Sequence, residues 1–422
     1  MNLAESYIQY VNQKAQKEPD KGWEKILLGF RLNNIRTHFL PKKQLSRGYQ
    51  KLEDMMMTLV SRSLSHPDSY VWGNIFAPCE IMHAFGLNML SIECLSCYLS
   101  GFHLEDFFID YAQSIGLAPT LCSYHKTFVG AVESGVVKAP KYAVTTSLSC
   151  DGNLNTFRFF EKEKGVPFTL LDVPYTDDEL SVDYLAGQLE EMVGHMERTL
   201  GLSFDEEALK ESIRIENKTQ QALVRLGELM CKHYYPGEII CQLYLMMGTH
   251  LLMGTKQFLE LIEFMIEDIQ TYPLFTGKRI LWVHLLPFYQ ESLKQYFGCN
   301  EKYQIMASDM ILDYTEPLNP DEPYRALAKK LIRNVFNGSY ERKATEIGRL
   351  ADRIHPDAVI NFCHWGCKQA AGGSMLMKEE MKKKNIPMLN LDGDGIDKRN
   401  SHDGQIKTRL EAFLEMIEED GQ

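Results

Sequence analysis

The sequence lacks the signs of a membrane, secreted or nucleic-acid-binding chain. Its longest uncharged stretch, Ile239 to Thr255, contains Gln242, Thr249 and His250. It falls short of the about 18 apolar residues needed to cross a bilayer and reads as a buried helix, so no membrane is expected as a partner. Met1 to Trp23 is polar and of mixed charge with no apolar core, which predicts a cytoplasmic chain without an export signal. No basic run is longer than Lys382 to Lys384, and 45 Lys and Arg against 57 Asp and Glu leave a net charge of -12, so no nucleic-acid partner is expected. Proline (16) and glycine (29) are too sparse in 422 residues for a collagen-like or low-complexity chain. There is no GxxxxGK[ST] phosphate loop, no GxGxxG opening a helix, no GxSxG elbow and no HExxH helix. ATP hydrolysis and the usual dinucleotide binding are therefore not expected of this chain.

What is present is enough apolar residue (45%) for more than one core, and ten cysteines. The hydrophobic pattern changes three times and divides the chain into a helical N-terminal segment (1–65), a first α/β lobe (66–175), a helical connector (176–272) and a second α/β lobe (273–422). In the first segment Ile26, Leu27, Phe30, Leu32 and Ile35 recur at helical spacings, and these helices are expected to pack across a neighbouring domain. Short apolar runs at Val71 to Phe76, Met89 to Ile92, Tyr142 to Thr146 and Phe168 to Val173 predict strands of a mainly parallel sheet. Arg279 to Leu285, Tyr303 to Ala307, Ala358 to Phe362 and Pro387 to Leu391 predict a second set. The fold class is thus α/β, with two parallel-sheet lobes that are candidates for distant copies of one unit. Between them, Thr176 with Glu179 and Ser203 with Glu206 read as capping boxes that start connector helices.

In a cytosolic chain the cysteines are not expected to form structural disulfides, which leaves packing, metal ligation or redox chemistry. The densest chemical segment is Asn361-Phe-Cys-His-Trp-Gly-Cys-Lys-Gln-Ala-Ala-Gly-Gly-Ser374, between a strand and a helical pattern. It places Cys363 and Cys367 at a sheet's carboxyl edge, where open α/β sheets bind ligands and a helix N-terminus favours thiolate. A tight turn with one buried cysteine is the plain alternative. Cys122, after Leu117 to Leu121, and Cys150, after Tyr142 to Ser147, have the same predicted strand-to-helix setting. Thiolates from three such strand ends would suit a cubane iron-sulfur cluster with one iron open to substrate or water. Cys79, Cys94 and Cys97 add candidate ligands; a structural zinc site and thioredoxin-type exchange at Cys94 and Cys97 are the alternatives. Cys231, Cys241 and Cys299 read as core residues in helical, apolar surroundings. Glu80, His125, Lys126 and His364 lie near these positions as candidate proton donors or substrate clamps, against the plainer reading of satisfied structural groups. Lys278, Arg279, Lys398 and Arg399 are candidates for the phosphates of a coenzyme A thioester, or else solvated surface positions.

Phe76-Ala-Pro-Cys-Glu80, Cys122-Ser-Tyr124, Ser149-Cys-Asp151, Cys363-His-Trp-Gly-Cys-Lys-Gln369, Leu391-Asp-Gly-Asp394 and Gly404-Gln-Ile-Lys-Thr-Arg-Leu-Glu-Ala-Phe413 follow one another from about Tyr70 to Ile417. In order and spacing this set resembles the iron-sulfur subunits of 2-hydroxyacyl-CoA dehydratases and benzoyl-CoA reductases. The resemblance implies two Rossmann-like lobes and a 4Fe-4S cluster ligated by Cys122, Cys150 and Cys367. It also implies a separate ATP-hydrolysing iron-sulfur activator that supplies one low-potential electron, which fits the missing phosphate loop. In the dehydratase branch the electron passes to a 2-hydroxyacyl-CoA, whose ketyl radical anion expels hydroxide to give an enoyl-CoA, and is then recycled. Dehydratases of this kind pair with a homologous subunit. The additional Cys79, Cys94, Cys97 and Cys363 depart from that pattern and resemble the related double-cubane proteins, self-sufficient homodimers that reduce small molecules. There the ligand set for an 8Fe-9S cluster would be Cys79, Cys97 or Cys94, Cys122, Cys150, Cys363 and Cys367. A non-enzymatic metal-binding scaffold of the same fold is the third reading.

Overall fold

The computed structural model describes residues 3–419. Its core is two four-stranded sheets, each parallel throughout. The first contains β1 (Tyr70–Gly73), β2 (Asn88–Ser91), β3 (Ala143–Thr146) and β4 (Phe168–Leu171), in the order β2-β1-β3-β4. The second contains β5 (Lys278–Val283), β6 (Tyr303–Ser308), β7 (Ala358–His364) and β8 (Met388–Gly393), in the order β6-β5-β7-β8. All eight strands expected of the two sheets are present. The two orders are one topology used twice, as the expectation of copied units requires.

Helices explain why these strands read as continuous apolar runs rather than alternating ones. Every residue of β1, β3, β6 and β7 is buried, because parallel crossovers cover both sheet faces. The edge strands β4 and β8 are only partly buried. In each sheet the strand order reverses beside the first strand, between β1 and β3 and between β5 and β7, and this opens a crevice at the carboxyl ends.

Segment 176–272 contributes the helices Glu179–Leu200, Glu206–Met230, Ile239–Leu251 and Lys256–Ile269, with no strand among the described residues. The expected capping boxes are not the caps used. Asp178 accepts the N–H of Ser181 and Asp205 that of Ala208, so each helix starts two residues later than expected. A carboxylate there meets the exposed N–H groups and the positive end of the helix dipole together. The N-terminal helix Arg47–Ser65 is tied to this segment through buried Asp268, which takes the Gly48 N–H and pairs with Arg47, and through Gln242 bonded to the Tyr49 hydroxyl.

Two further expectations need correction. Leu117 to Leu121 is not a strand but part of the loop between helices Glu105–Ser114 and Ser123–Glu133, so Cys122 joins two helices. Cys299 is not in a helix. It follows Glu291–Phe297 in a left-handed turn (φ 47°), half-buried against the Gln44 carbonyl.

Candidate functional site

Three of the cysteines share one local environment. Cys122, Cys150 and Cys367 are the N-cap residues of Ser123–Glu133, Asp151–Lys164 and Lys368–Ala371. Cys150 and Cys367 follow the third strand of each sheet, β3 and β7, and so hold equivalent places beside the two crevices. Ser149, immediately before Cys150, is held at φ 68°, a conformation a non-glycine residue adopts only where its surroundings impose it. Gly366 allows the second lobe to close on the first: a Cβ there would lie 2.3 Å from the Cys122 Cα and 2.8 Å from its nitrogen. Beside it, the Ser123 hydroxyl donates to Asp394, which also takes the N–H groups of Ile396 and Asp397.

Burial pushes the Cys122 thiol well up, and the nearby Cys150 and Cys367 push it further, while the Tyr124 N–H pulls it down. Burial takes Cys150 up to about 12 against the N–H groups of Asn153 and Gly152, with Cys367 again adding to the rise. Cys367 is also raised by burial, opposed by the N–H groups of Ala370 and Gln369. Three thiols close enough to feel one another, each facing helix N–H donors, are protonated when bare and suited to anionic ligation once a cation displaces the protons. Among the described residues no three His, Cys, Asp or Glu side chains converge closely enough for a single metal ion. A cluster distributes its ligands over several irons and needs no such convergence.

Two histidines complete the group. Nε2 of His364 lies 3.2 Å from the Cys122 sulfur, and Nε2 of His125 lies 3.5 Å from the Cys150 sulfur. Both rings are buried, and burial lowers both pKa values, that of His125 to about 4.

The remaining candidates lie outside this group. Cys363 neighbours His364 on β7 and so points to the other face, where the Asn361 amide donates to its sulfur at 3.4 Å; Tyr340 lies near both it and Cys367. Cys97 is buried against Tyr124 and lines an apolar cavity with Phe30, Phe102 and Tyr244. Cys94 is buried in the same helix, Ile92–Ser100. Cys79 approaches the Met253 carbonyl at 3.7 Å and faces Glu80, Lys330 and Glu216. Lys330 binds Glu80 at 2.5 Å and Glu216 at 2.6 Å. Burial pushes Glu80 up, but Lys330 and hydrogen bonds outweigh it and hold this carboxyl below its ordinary range; burial together with the Glu80 charge drives Glu216 well above its own.

Of the basic pairs, the first lies away from the site. Lys278 and Arg279 open β5, at the end of the strand opposite the crevice, where Arg279 is paired with Asp357. Lys398 is paired with Glu105, and Arg399 with Asp397, Asp106 and Asp110. Sequence reasoning also missed Thr156, Lys330 and Glu216. They stand on helices with no local motif around them, and only the tertiary fold brings them to their partners.

Residues 74–417, which include the three N-cap cysteines and both histidines, match the family described as 2-hydroxyglutaryl-CoA dehydratase, D-component. The chain belongs to this family. Among curated relatives it is 22% identical to the alpha subunit of lactoyl-CoA dehydratase from Anaerotignum propionicum, over 82% of this chain and 90% of that one. It is 19% identical to the (R)-phenyllactyl-CoA dehydratase alpha subunit of Clostridium sporogenes, over 81% and 87%, and 20% identical to a benzoyl-CoA reductase subunit of Thauera aromatica, over 73% and 79%. Both branches of the expected resemblance therefore appear among the relatives of this D-component chain, and they are enzyme subunits.

Proposed function

We propose that this chain is the cluster-bearing component of a 2-hydroxyacyl-CoA dehydratase-type enzyme, with one 4Fe-4S cluster on Cys122, Cys150 and Cys367. The observation that carries the reading is the gathering of three half-buried thiols, each capping a helix, at the meeting of the two lobes. An all-thiol donor set facing backbone N–H groups fits a cluster, which takes thiolate ligands. When bound, the cluster supplies one-electron chemistry at low potential and a Lewis-acidic iron. The chain's own contribution is a pair of neutral imidazoles beside the sulfurs and a Glu80 carboxylate kept ionised by Lys330. Of the three polar groups expected to act, Glu80 is the one proposed for proton handling or for placing substrate, while His125 and His364 stand beside the ligand sulfurs.

The proposed partners are an ATP-hydrolysing iron-sulfur activator, a homologous subunit and an acyl-CoA substrate, with the enzyme in the cytoplasm. The relatives' names, two dehydratase alpha subunits and a reductase subunit, support a multi-subunit enzyme acting on acyl-CoA thioesters. Elimination of water from a 2-hydroxyacyl-CoA leaves the overall oxidation state unchanged, so the electron is recycled. The test is an oxygen-free assay of the chain with its homologous subunit, an activator, ATP and a panel of 2-hydroxyacyl-CoA thioesters. Enoyl-CoA formation with far less than one ATP per turnover is expected. An intact, iron-loaded protein that dehydrates none of them would overturn the reading.

One observation favours a second reading, an activator-driven double-cubane reductase of small molecules. Cys363 and Cys97 each adjoin the three-thiol group, across Tyr340 and Tyr124. The two readings differ twofold in iron per chain.

A further inference from the structure

His125 and His364 have every ring nitrogen occupied. In His364, at the end of β7, Nδ1 accepts the Gly395 N–H at 3.1 Å. A backbone N–H only donates, so the ring proton is on Nε2, and Nε2 faces the Cys122 sulfur at 3.2 Å. In His125, on the helix that Cys122 caps, Nδ1 meets the Thr156 hydroxyl at 3.0 Å and Nε2 faces the Cys150 sulfur at 3.5 Å. A hydroxyl can donate or accept, so the Thr156 contact admits the same tautomer, with the Thr156 proton on Nδ1 and the ring proton on Nε2, and this is the one assigned to His125. Asp394, the nearest carboxylate to the His364 ring, lies 3.9 Å from Nδ1 and is taken up by Ser123, Ile396 and Asp397. Neither ring is built like one that passes protons to a ligand, because no nitrogen is left free and no carboxylate orients it.

We infer that His364 and His125 are paired N–H···S donors, one to the Cys122 sulfur and one to the Cys150 sulfur, that set the reduction potential of the group those sulfurs hold. This rests on the cluster reading above and gives its two histidines a different task from substrate chemistry. Hydrogen bonds to ligand sulfurs stabilise the extra negative charge of the reduced state more than the oxidised one and so raise the potential. Gly395 and Thr156 are positioning groups that fix the tautomers. The pair crosses the lobe boundary, since His364 comes from the second lobe and Cys122 from the first. Closure of the lobes and the potential are thereby coupled.

The test uses the full chain purified without oxygen. Iron content and EPR-monitored redox titration are compared for wild type, His364→Leu, His125→Leu, His364→Gln and Thr156→Val, and wild type labelled with 15N-histidine is examined by pulsed EPR. The expected result is a more negative midpoint potential in both Leu variants at unchanged iron, a smaller shift in His364→Gln, which keeps a donor, and a negative shift in Thr156→Val, which alters neither ring nor sulfur. Histidine nitrogens coupled to the reduced cluster are expected in wild type. Unchanged potentials in the Leu variants at full iron, or no coupled nitrogen in wild type, would overturn the inference and leave the cluster reading standing. If the Leu variants lose iron, the wild-type coupling and the Thr156→Val potential decide. Iron-free wild type would overturn the cluster reading and this inference with it.

Discussion

At the scale of single residues, the cysteines divide by what faces them. Cys122, Cys150 and Cys367 face helix N–H groups, whereas Cys231 bonds back to the Gly227 carbonyl and Cys241 is packed in apolar core. Serine at any of the first three positions is expected to abolish most bound iron, and serine at Cys241 to leave iron unchanged; iron per folded chain checks both. Gly366 carries a sharper prediction. Alanine there drives a methyl group into the backbone of Cys122, so Gly366→Ala is expected to cost about 1–3 kcal/mol and to lower iron loading, read by denaturation and metal content. The glycine itself stands in the motif around Cys363 and Cys367. What it approaches was not legible there, because Cys122 and Gly366 are distant in the chain and meet only when the lobes close.

At the scale of elements, strands were the most legible part of this chain. β1, β3, β6 and β7 are buried on both faces, so their apolar runs are unbroken and stand out between helices. The helix starts at Asp178 and Asp205 were less legible, since Thr176 and Ser203 offered equally good hydroxyls two residues earlier. The setting of Cys122 was misread because Leu117 to Leu121 has a strand's composition, while Pro119 and the packing of its two flanking helices hold it as a loop. One element carries a pH prediction. Glu93, in Ile92–Ser100, is buried and bonded to Asn153 of Asp151–Lys164, and burial raises its pKa from 4.5 to about 7. The folded chain therefore holds this proton more tightly than the unfolded one does. Its contribution is fully present below the unfolded pKa and is lost as pH rises through about 7, a change on the order of 3 kcal/mol. Thermal stability of the metal-free chain is expected to fall between pH 5 and 8. Glu93→Gln, which cannot ionise, is expected to flatten that slope.

At the scale of the whole molecule, the first lobe, the helical segment and the second lobe meet at one lysine. Lys330 of Pro323–Arg333 holds Glu80 of Cys79–Ala84 and Glu216 of Glu206–Met230. Removing it leaves two buried carboxyls without a cation, so Lys330→Met is expected to destabilise the chain by about 3–5 kcal/mol, with part regained in Lys330→Met/Glu80→Gln. Chemical denaturation of the single and double variants measures both. This junction had no sequence signal beyond Glu80 itself, because its three members are contributed by helices distant in the chain. The family match over residues 74–417 covers all three, and it covers the three-thiol group that the account makes central.

That group is tested most directly by counting iron and acid-labile sulfide per chain after strictly oxygen-free purification, in wild type and in the serine variants of Cys122, Cys150, Cys367, Cys79 and Cys363. The account predicts about four iron and four sulfide per chain, lost with each of the first three cysteines and kept without Cys79 or Cys363. About eight iron, falling when Cys79 or Cys363 is replaced, or iron that survives the loss of Cys122, Cys150 and Cys367, would contradict it.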